Sequence, residues 1–177
     1  MARTNTRALR FAEAAFAVAR DGNHLDAWLG ALELASSVFD NHAAGLYLTS
    51  PVVPADHKRA VLRELLPGIS QEVQRFLEIL AHRDRLDLVQ EIAIIFQRLV
   101  NEQRGIAVAQ VTTAIPIDDR QKAQIATRLS RRLGKTVTLE TRVDPSILGG
   151  VVAQIGDNVI DGSVRGRLER LRRALTA

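Results

Sequence analysis

Asp144-Pro-Ser-Ile-Leu-Gly149-Gly150-Val-Val-Ala153-Gln-Ile155-Gly156-Asp157-Asn-Val-Ile160-Asp161-Gly162-Ser163-Val-Arg165-Gly-Arg167-Leu168, continued by a leucine- and arginine-rich run to Leu175, is the stretch from which the rest of the chain can be read. Val151, Ala153 and Ile155 alternate onto one face, the period of a half-buried strand. Gly156-Asp157 is a two-residue hairpin signal, since glycine supplies the positive φ that such a turn needs. Val159 and Ile160 then rebuild a short strand. Asp161-Gly162 turns the chain again, and Ser163 is placed to cap a helix by accepting a hydrogen bond from a free backbone N–H. Within that helix Val164, Leu168, Leu171 and Leu175 stand at i, i+4, i+7 and i+11, a single apolar stripe.

Moving towards the N-terminus, Val137, Leu139, Thr141 and Val143 alternate with polar residues as a one-sided strand. Before it, Pro116-Ile117-Asp118 opens a helix to Leu133 with Ile125, Leu129 and Leu133 inward, and Gly134 closes it. Asp118 and Asp119 in its first turn, with Arg131 and Arg132 in its last, complement the helix dipole. Ile106 to Ile115 reads as a strand with two mostly apolar faces, hence central or covered on both sides. The second half is thus a small α+β domain, read as βαββα. At Arg104-Gly105 the hydrophobic period changes along the chain from 3.6 to 2, which places a domain boundary between residues 1–104 and 105–177.

The first half reads as an all-α six-helix bundle. A first helix, residues 5–20, has two adjacent stripes: Leu9, Ala12, Phe16 and Ala19, then Phe11, Ala15 and Val18. That width suits either a central helix buried on several sides or a face partly kept for a partner helix. Asp21-Gly22-Asn23 ends it. A second helix, Leu25 to Phe39, turns Trp28, Leu29, Leu32, Ala35 and Phe39 inward. Asp40 is placed to cap a short third helix, and Ser50-Pro51-Val52-Val53-Pro54 interrupts helix formation. A fourth runs from Ala55 to Leu66 and stops at Pro67-Gly68. Ser70 caps a fifth with Val73, Phe76, Leu77 and Leu80 at bundle spacing. After a break at His82-Arg83, Asp84 is placed to cap a sixth and longest helix reaching Gln103.

The 177 residues are 46% apolar, ample for packed cores, and carry a net charge of +4 with no cysteine. Disulfides, thiolate metal sites and cysteine nucleophiles are excluded. No apolar run reaches the roughly 18–20 residues of a membrane span, and Met1 to Arg10 lacks the apolar core of a signal peptide. Arginine supplies most of the basic charge, because lysine occurs only at Lys58, Lys122 and Lys135, and carboxylates are interleaved with it.

A search for catalytic chemistry comes back empty. Gly134-Lys135-Thr136 resembles the end of a phosphate-binding loop, but Leu129 stands where that motif needs glycine, and a helix precedes where a strand should. Gly149, Gly150 and Gly156 lack dinucleotide-binding spacing. His24, His42, His57 and His82 lie on different elements, and none is paired at i, i+4 with another ligand. Asp144, Asp157 and Asp161 sit in turns, where aspartate bonds locally. No catalytic residue, metal site or cofactor is expected. The one directional basic feature is the last helix, with Arg165, Arg167, Arg172 and Arg173 mostly off its leucine stripe and Glu169 among them. Such a helix suits nucleic-acid phosphates or an acidic protein surface. No aromatic residue follows Phe96, so nothing there can stack on bases.

Asp144-Pro145, Gly149-Gly150, Gly156-Asp157, Asp161-Gly162-Ser163, Arg165 and Leu168 together resemble the C-terminal signature of the F-type ATP synthase delta subunit family, which includes the mitochondrial oligomycin-sensitivity-conferring protein. Arg10 to Phe16, Leu25-Asp26-Ala27-Trp28, Ser50-Pro51 with Lys58, Leu80 to Leu86, Glu91-Ile92 and Val111 to Ala114 extend the likeness over nearly the whole chain. Ala153 departs from it, standing where a larger aliphatic is expected. The resemblance implies a six-helix domain joined to a smaller α/β domain, and a non-catalytic stator subunit without cofactor or metal. It implies a first domain that grips the N-terminal helix of an alpha subunit on the catalytic head, and a second that holds the peripheral b stalk. It also implies a peripheral position on the cytoplasmic face of the cell membrane. The double stripe on the first helix, with Ile79 off the main stripe of the fifth, suggests a groove formed by Phe11, Ala14, Ala15, Val18, Phe76, Ile79 and Arg83. There, Ala15→Asp is expected to weaken docking without unfolding the domain. By charge, Arg165, Arg167, Arg172 and Arg173 are assigned to the stalk. The alternative from another class is a basic nucleic-acid-binding protein using that same helix.

Overall fold

Hydrophobic period divides this chain into a helical half and a mixed one, and the computed structural model, which describes residues 5–156 and 158–176, likewise has helices first and a mixed half after them. Asp157, half of the expected hairpin turn, lies outside the described residues, as do the first four of the N-terminal segment. Two compact units divide after Val100, inside the last helix of the first half. Asn101, Glu102 and Gln103 are all polar, so the apolar stripe of that helix ends where the division falls.

The first unit contains α1 (Thr6–Asp21), α2 (Leu25–Asp40), α3 (His42–Thr49), α4 (Ala55–Leu65), α5 (Gln71–His82) and α6 (Val89–Gln103). Local chemistry fixes the helix starts. The Asn5 side chain accepts from Arg7 N–H, Asn41 from Ala43 and Ala44, and Ser70 from Val73, each satisfying a donor that has no intrahelical partner. Two expectations need correction. Asn41, not Asp40, caps α3: Asp40 remains the last residue of α2, and its carboxylate accepts from Gln90 Nε2 at 2.7 Å. Asp84 does not cap the sixth helix. Its backbone is left-handed, φ 49°, whereas a cap is extended, and its carboxylate accepts from Lys58 Nζ at 2.7 Å. The chain restarts through a 3₁₀ turn, Leu86–Leu88, so α6 has 15 residues and is shorter than α1 and α2 at 16 each.

Small residues let these helices approach. Ala8, Ala12, Ala15 and Ala19 form the buried face of α1, while Leu9, Phe11 and Phe16 pack at its margins. Around them Phe16 meets Phe96 edge-on at 6.1 Å, Trp28 stacks on Phe96 at 6.1 Å, and Trp28 tilts against Phe76 at 5.6 Å. Ring pairs of this kind add about 0.5–1.5 kcal/mol each beyond burial. The same core takes in Leu32, Leu48, Leu77, Leu80, Val89 and Ile92.

The second unit holds β1 (Ile106–Thr113), α7 (Asp119–Leu133), β2 (Thr136–Val143), a 3₁₀ turn (Pro145–Ile147), β3 (Val151–Ile155), β4 (Asn158–Asp161) and α8 (Val164–Thr176). The order is βαβββα, one strand more than the βαββα of the sequence reading. The strand that shorthand omits is four-residue β4, which pairs with β3 from Val152↔Asp161 to Ile155↔Asn158. The mixed sheet runs β2-β1-β3-β4. β1 and β2 are parallel, with α7 as the crossover such pairs require, and β1/β3 and β3/β4 are antiparallel. α7 begins with a capping box between Asp118 and Gln121 and ends at left-handed Gly134, φ 66°.

Its Ile125, Leu129 and Leu133 cover one sheet face: Ala107, Ala109 and Val111 of β1, Val137 and Leu139 of β2, Ala153 of β3 and Ile160 of β4. β1 is therefore central in pairing but covered on one face only, because Gln110 on its other face is exposed. Ala153 sits between Val111 and Ile160, where a small side chain is almost fully enclosed.

Candidate docking surfaces

In the first unit the site begins with Trp28, enclosed in the core, whose indole Nε1 donates to Glu72 Oε2 at 3.3 Å. That bond links α2 to the first turn of α5. α5 packs most closely on α4, and α1 on α2, so α1 and α5 are not a tightly interlocked pair. Of the seven residues assigned to a groove, Val18 is 52% and Ile79 49% exposed. Ala14 and Arg83 are exposed too, and Phe11 is half-buried. Ala15 and Phe76, by contrast, belong to the core. Ala15→Asp would therefore place a carboxylate inside the unit and destabilise it, which removes it as a clean test of docking. Val18 and Ile79 take its place.

The exit of α5 is held by an ion pair that the sequence did not announce. Lys58, on α4, is only 1% exposed, and its Nζ donates to Asp84 Oδ1 at 2.7 Å. This hydrogen bond and the lysine charge hold the Asp84 carboxyl below its usual range. Arg83 stands beside it at the end of α5, its backbone N–H donating to Ile79 carbonyl oxygen at 3.1 Å.

In the second unit the glycine-rich signature is the joint that fastens α8 to β3. Gly162 N–H donates to Val151 O and Val164 N–H to Gly149 O, both at 2.9 Å. Gly150 has φ +79°, and a Cβ there would lie 2.5 Å from Gly162 O, so both backbone conformation and space require glycine. The Asp161 carboxylate accepts from Ser163 N–H at 2.8 Å and Ser163 Oγ–H at 2.6 Å, and Ser163 Oγ accepts from Gly166 N–H at 2.9 Å. Those Ser163 donors lower the Asp161 pKa. Asp144, whose Oδ1 accepts from Ser146 N–H at 2.9 Å, is lowered chiefly through hydrogen bonding to Ser146. Gly156 takes φ +56° at the hairpin. Gly166 escaped the sequence reading, although a Cβ there would strike the Asp161 carboxylate. Its signal was its spacing, one turn after the capping serine.

Beyond this joint α8 is bare. Val164, Leu168, Leu171 and Leu175 are all exposed, Leu171 to 57%, so the predicted stripe exists and no described residue of the second unit covers it. Arg165, Arg167, Arg172 and Arg173 are exposed alongside. Arg165 Nε donates to Glu169 at 3.1 Å, and Arg170 stands 4.0 Å from Asp161. The arginines give this helix its charge, but the uncovered leucines are the less ordinary feature of a surface.

Among the described residues no group of three or more His, Cys, Asp or Glu is placed to hold a metal ion, and no helix is long and apolar enough to cross a membrane. Val18 and Ile79 in the first unit and the leucines of α8 in the second leave apolar side chains exposed, and contiguous apolar surface of that kind marks protein–protein contact. A family model described as ATP synthase delta (OSCP) subunit matches residues 8–175. The chain is 38% identical over 178 residues to ATP synthase subunit delta of Chromohalobacter salexigens, covering 100% of both, and 37% identical over 177 residues to that of Teredinibacter turnerae, covering 99% of both. In structure it is similar to a chain of the Toxoplasma gondii mitochondrial ATP synthase hexamer, with TM-score 0.73 and 27% identity over 96% of this chain and 97% of that one.

The chain belongs to the ATP synthase delta (OSCP) subunit family. It is a non-catalytic stator subunit of the F-type ATP synthase, peripheral to the membrane. The nucleic-acid alternative finds no support.

Proposed function

We propose that residues 1–104 act as one six-helix bundle on the catalytic head, holding the N-terminal helix of an alpha subunit along α1 and α5. Phe11, Ala14, Val18, Ile79 and Arg83 would form the contact over Ala15 and Phe76. Residues 105–177 hold the b subunits of the peripheral stalk through α8, and the assembly stands on the cytoplasmic face of the cell membrane. Torque on the rotor would otherwise turn the head, so the two attachments must be tight and stiff. The observation that carries this reading is the uncovered leucine stripe of α8. A helix fixed at its base by a hydrogen-bonded joint, with its apolar face open, supports a partner helix as its missing cover. The arginines flanking it favour an acidic partner and steer its approach. At the exposed rim such charges contribute little to affinity, so the leucines remain the main determinant.

The test titrates the full chain with catalytic heads stripped of their delta subunit, following Trp28 fluorescence with calorimetry as a check. One chain per head is expected at saturation. Val18→Asp and Ile79→Asp should each weaken binding about tenfold or more, whereas Leu168→Asp should leave head binding intact and abolish retention of the b subunits. Unaltered head affinity in both groove variants would remove the α1/α5 surface. Unaltered b retention in Leu168→Asp would remove α8.

A further inference from the structure

A second cleft in the helical unit shares no residue with that surface. It lies between α2 and α6, has a volume of about 260 Å³, and is lined by Leu29, Glu33 and Ser36 on one wall and Ala93, Ile94 and Gln97 on the other. The walls are tied at one end, where Gln90 on α6 donates to Asp40 on α2 at 2.7 Å. The volume falls below the roughly 300–1,000 Å³ of small-molecule sites and suits the side-chain knobs of a helix. Ile94 on its lip is 72% exposed, so an apolar anchor is already presented outward.

Charge says what kind of helix fits. Asp26, Glu33 and Asp40 recur every seven residues on α2, and a helix drifts only about 20° per such step. They therefore form one row along the solvent side of the cleft, with Glu33 itself in the lining. α2 contains neither lysine nor arginine. Beside the cleft on α6, Gln90, Ile94 and Gln97 are neutral, and the neighbouring cation, Arg98, is already engaged. An apolar floor beside a line of carboxylates matches apolar residues at i and i+3 or i+4 with lysine or arginine one position to the side. We propose that the α2/α6 cleft is a second docking site of this subunit, and that its occupant is a basic amphipathic helix of a partner protein.

The experiment uses the full chain and two fluorescently labelled helical peptides, one of leucine and lysine, the other of leucine and glutamate in the same pattern. Fluorescence polarisation should show the lysine peptide binding at least about tenfold more tightly, with affinity falling as salt rises. Ile94→Asp and Glu33→Lys, both at exposed positions and expected to unfold at the wild-type temperature, should each reduce that affinity about tenfold. Val18→Asp, on the α1/α5 surface, should not. Equal affinity for the two peptides, or wild-type affinity in both cleft variants, would overturn the proposal. Loss confined to Val18→Asp would overturn it too, assigning the peptide to the alpha-subunit surface instead. Sedimentation of the free chain should give a monomer; a dimer abolished by Ile94→Asp would mean that a second copy is the occupant.

Discussion

The two units use their apolar residues in opposite ways. In the helical unit twenty-three of the described apolar side chains are buried in one cluster, including Trp28, Phe76 and Phe96. In the mixed unit the corresponding cluster has five among the described residues, two of them alanine. There the largest aliphatic residues of α8 are on the surface. A small domain with a thin core holds few kcal/mol of its own. The helical unit is built to stand by itself, and the mixed unit is built to be completed.

The contrast breaks most sharply by truncation. Phe96→Ala removes the ring that contacts both Phe16 and Trp28 and should cost about 3–5 kcal/mol, read as a lower urea midpoint. Leu171→Ala, a change of similar kind on α8, should cost under about 0.5 kcal/mol in the free chain. If Leu171→Ala costs as much as a buried leucine, α8 is packed in solution and the comparison between the units fails.

The joint under α8 is where the thin unit is most sensitive. Gly150→Ala forces a side chain into positive φ and against Gly162 O, and should destabilise the mixed unit by about 1–3 kcal/mol. Gly134→Ala, also at positive φ but with open space around its Cβ, separates the two causes. Its cost should be about 1 kcal/mol. Equal losses at both positions in thermal unfolding would mean that backbone strain alone, and not the close approach of β3 to α8, fixes the glycine.

Helix order, the sheet strands and the helix stops were legible because each has a short-range cause. Ser70, Gly134 and Ser163 act on residues within one turn, and the periods of α2 and α5 need no knowledge of their neighbours. What escaped reading was set by neighbours. Whether Asp40 or Asn41 caps α3 depends on Gln90, which draws Asp40 away. Asp84 looks like a helix cap until Lys58, 26 positions earlier, takes its carboxylate. Ala15 and Val18 share a stripe in sequence, yet only packing tells that one is core and the other surface. The stripe of α8 was read correctly as a pattern, but that nothing covers it is a tertiary fact.

The Lys58–Asp84 pair gives a smaller and more local test. Asp84→Ala leaves an ammonium enclosed without its acceptor, whereas Lys58→Met removes the charge and keeps most of the stem. Only the lysine is enclosed, the Asp84 side chain being 60% exposed, yet stranding an enclosed ammonium is worse than replacing it by an apolar group of similar shape. Asp84→Ala should therefore lower the urea midpoint more than Lys58→Met. The reverse order would mean that the lysine is solvated on opening and the joint tolerates its loss.

Acid should separate the units most gently. Asp84, Asp144 and Asp161 all have folded pKa values below the ordinary aspartate range, through Lys58, Ser146 and Ser163 respectively. A carboxylate lowered in the folded state contributes stability above its unfolded value, about 3.9, and loses it as pH falls through the lowered folded value. Neutral pH should thus show no effect, and loosening should begin below about pH 4. Two of the three groups lie in the mixed unit, where fewer buried contacts oppose the loss. Amide exchange in β3 and α8 should therefore accelerate at a higher pH than the one at which Trp28 fluorescence changes. Asp161→Asn, which cannot titrate, should flatten the acid dependence of exchange in α8 while leaving that of Trp28 unaltered. Simultaneous loss of both signals, unchanged by Asp161→Asn, would mean that the carboxylates of the joint do not govern the acid response and that the two units melt as one.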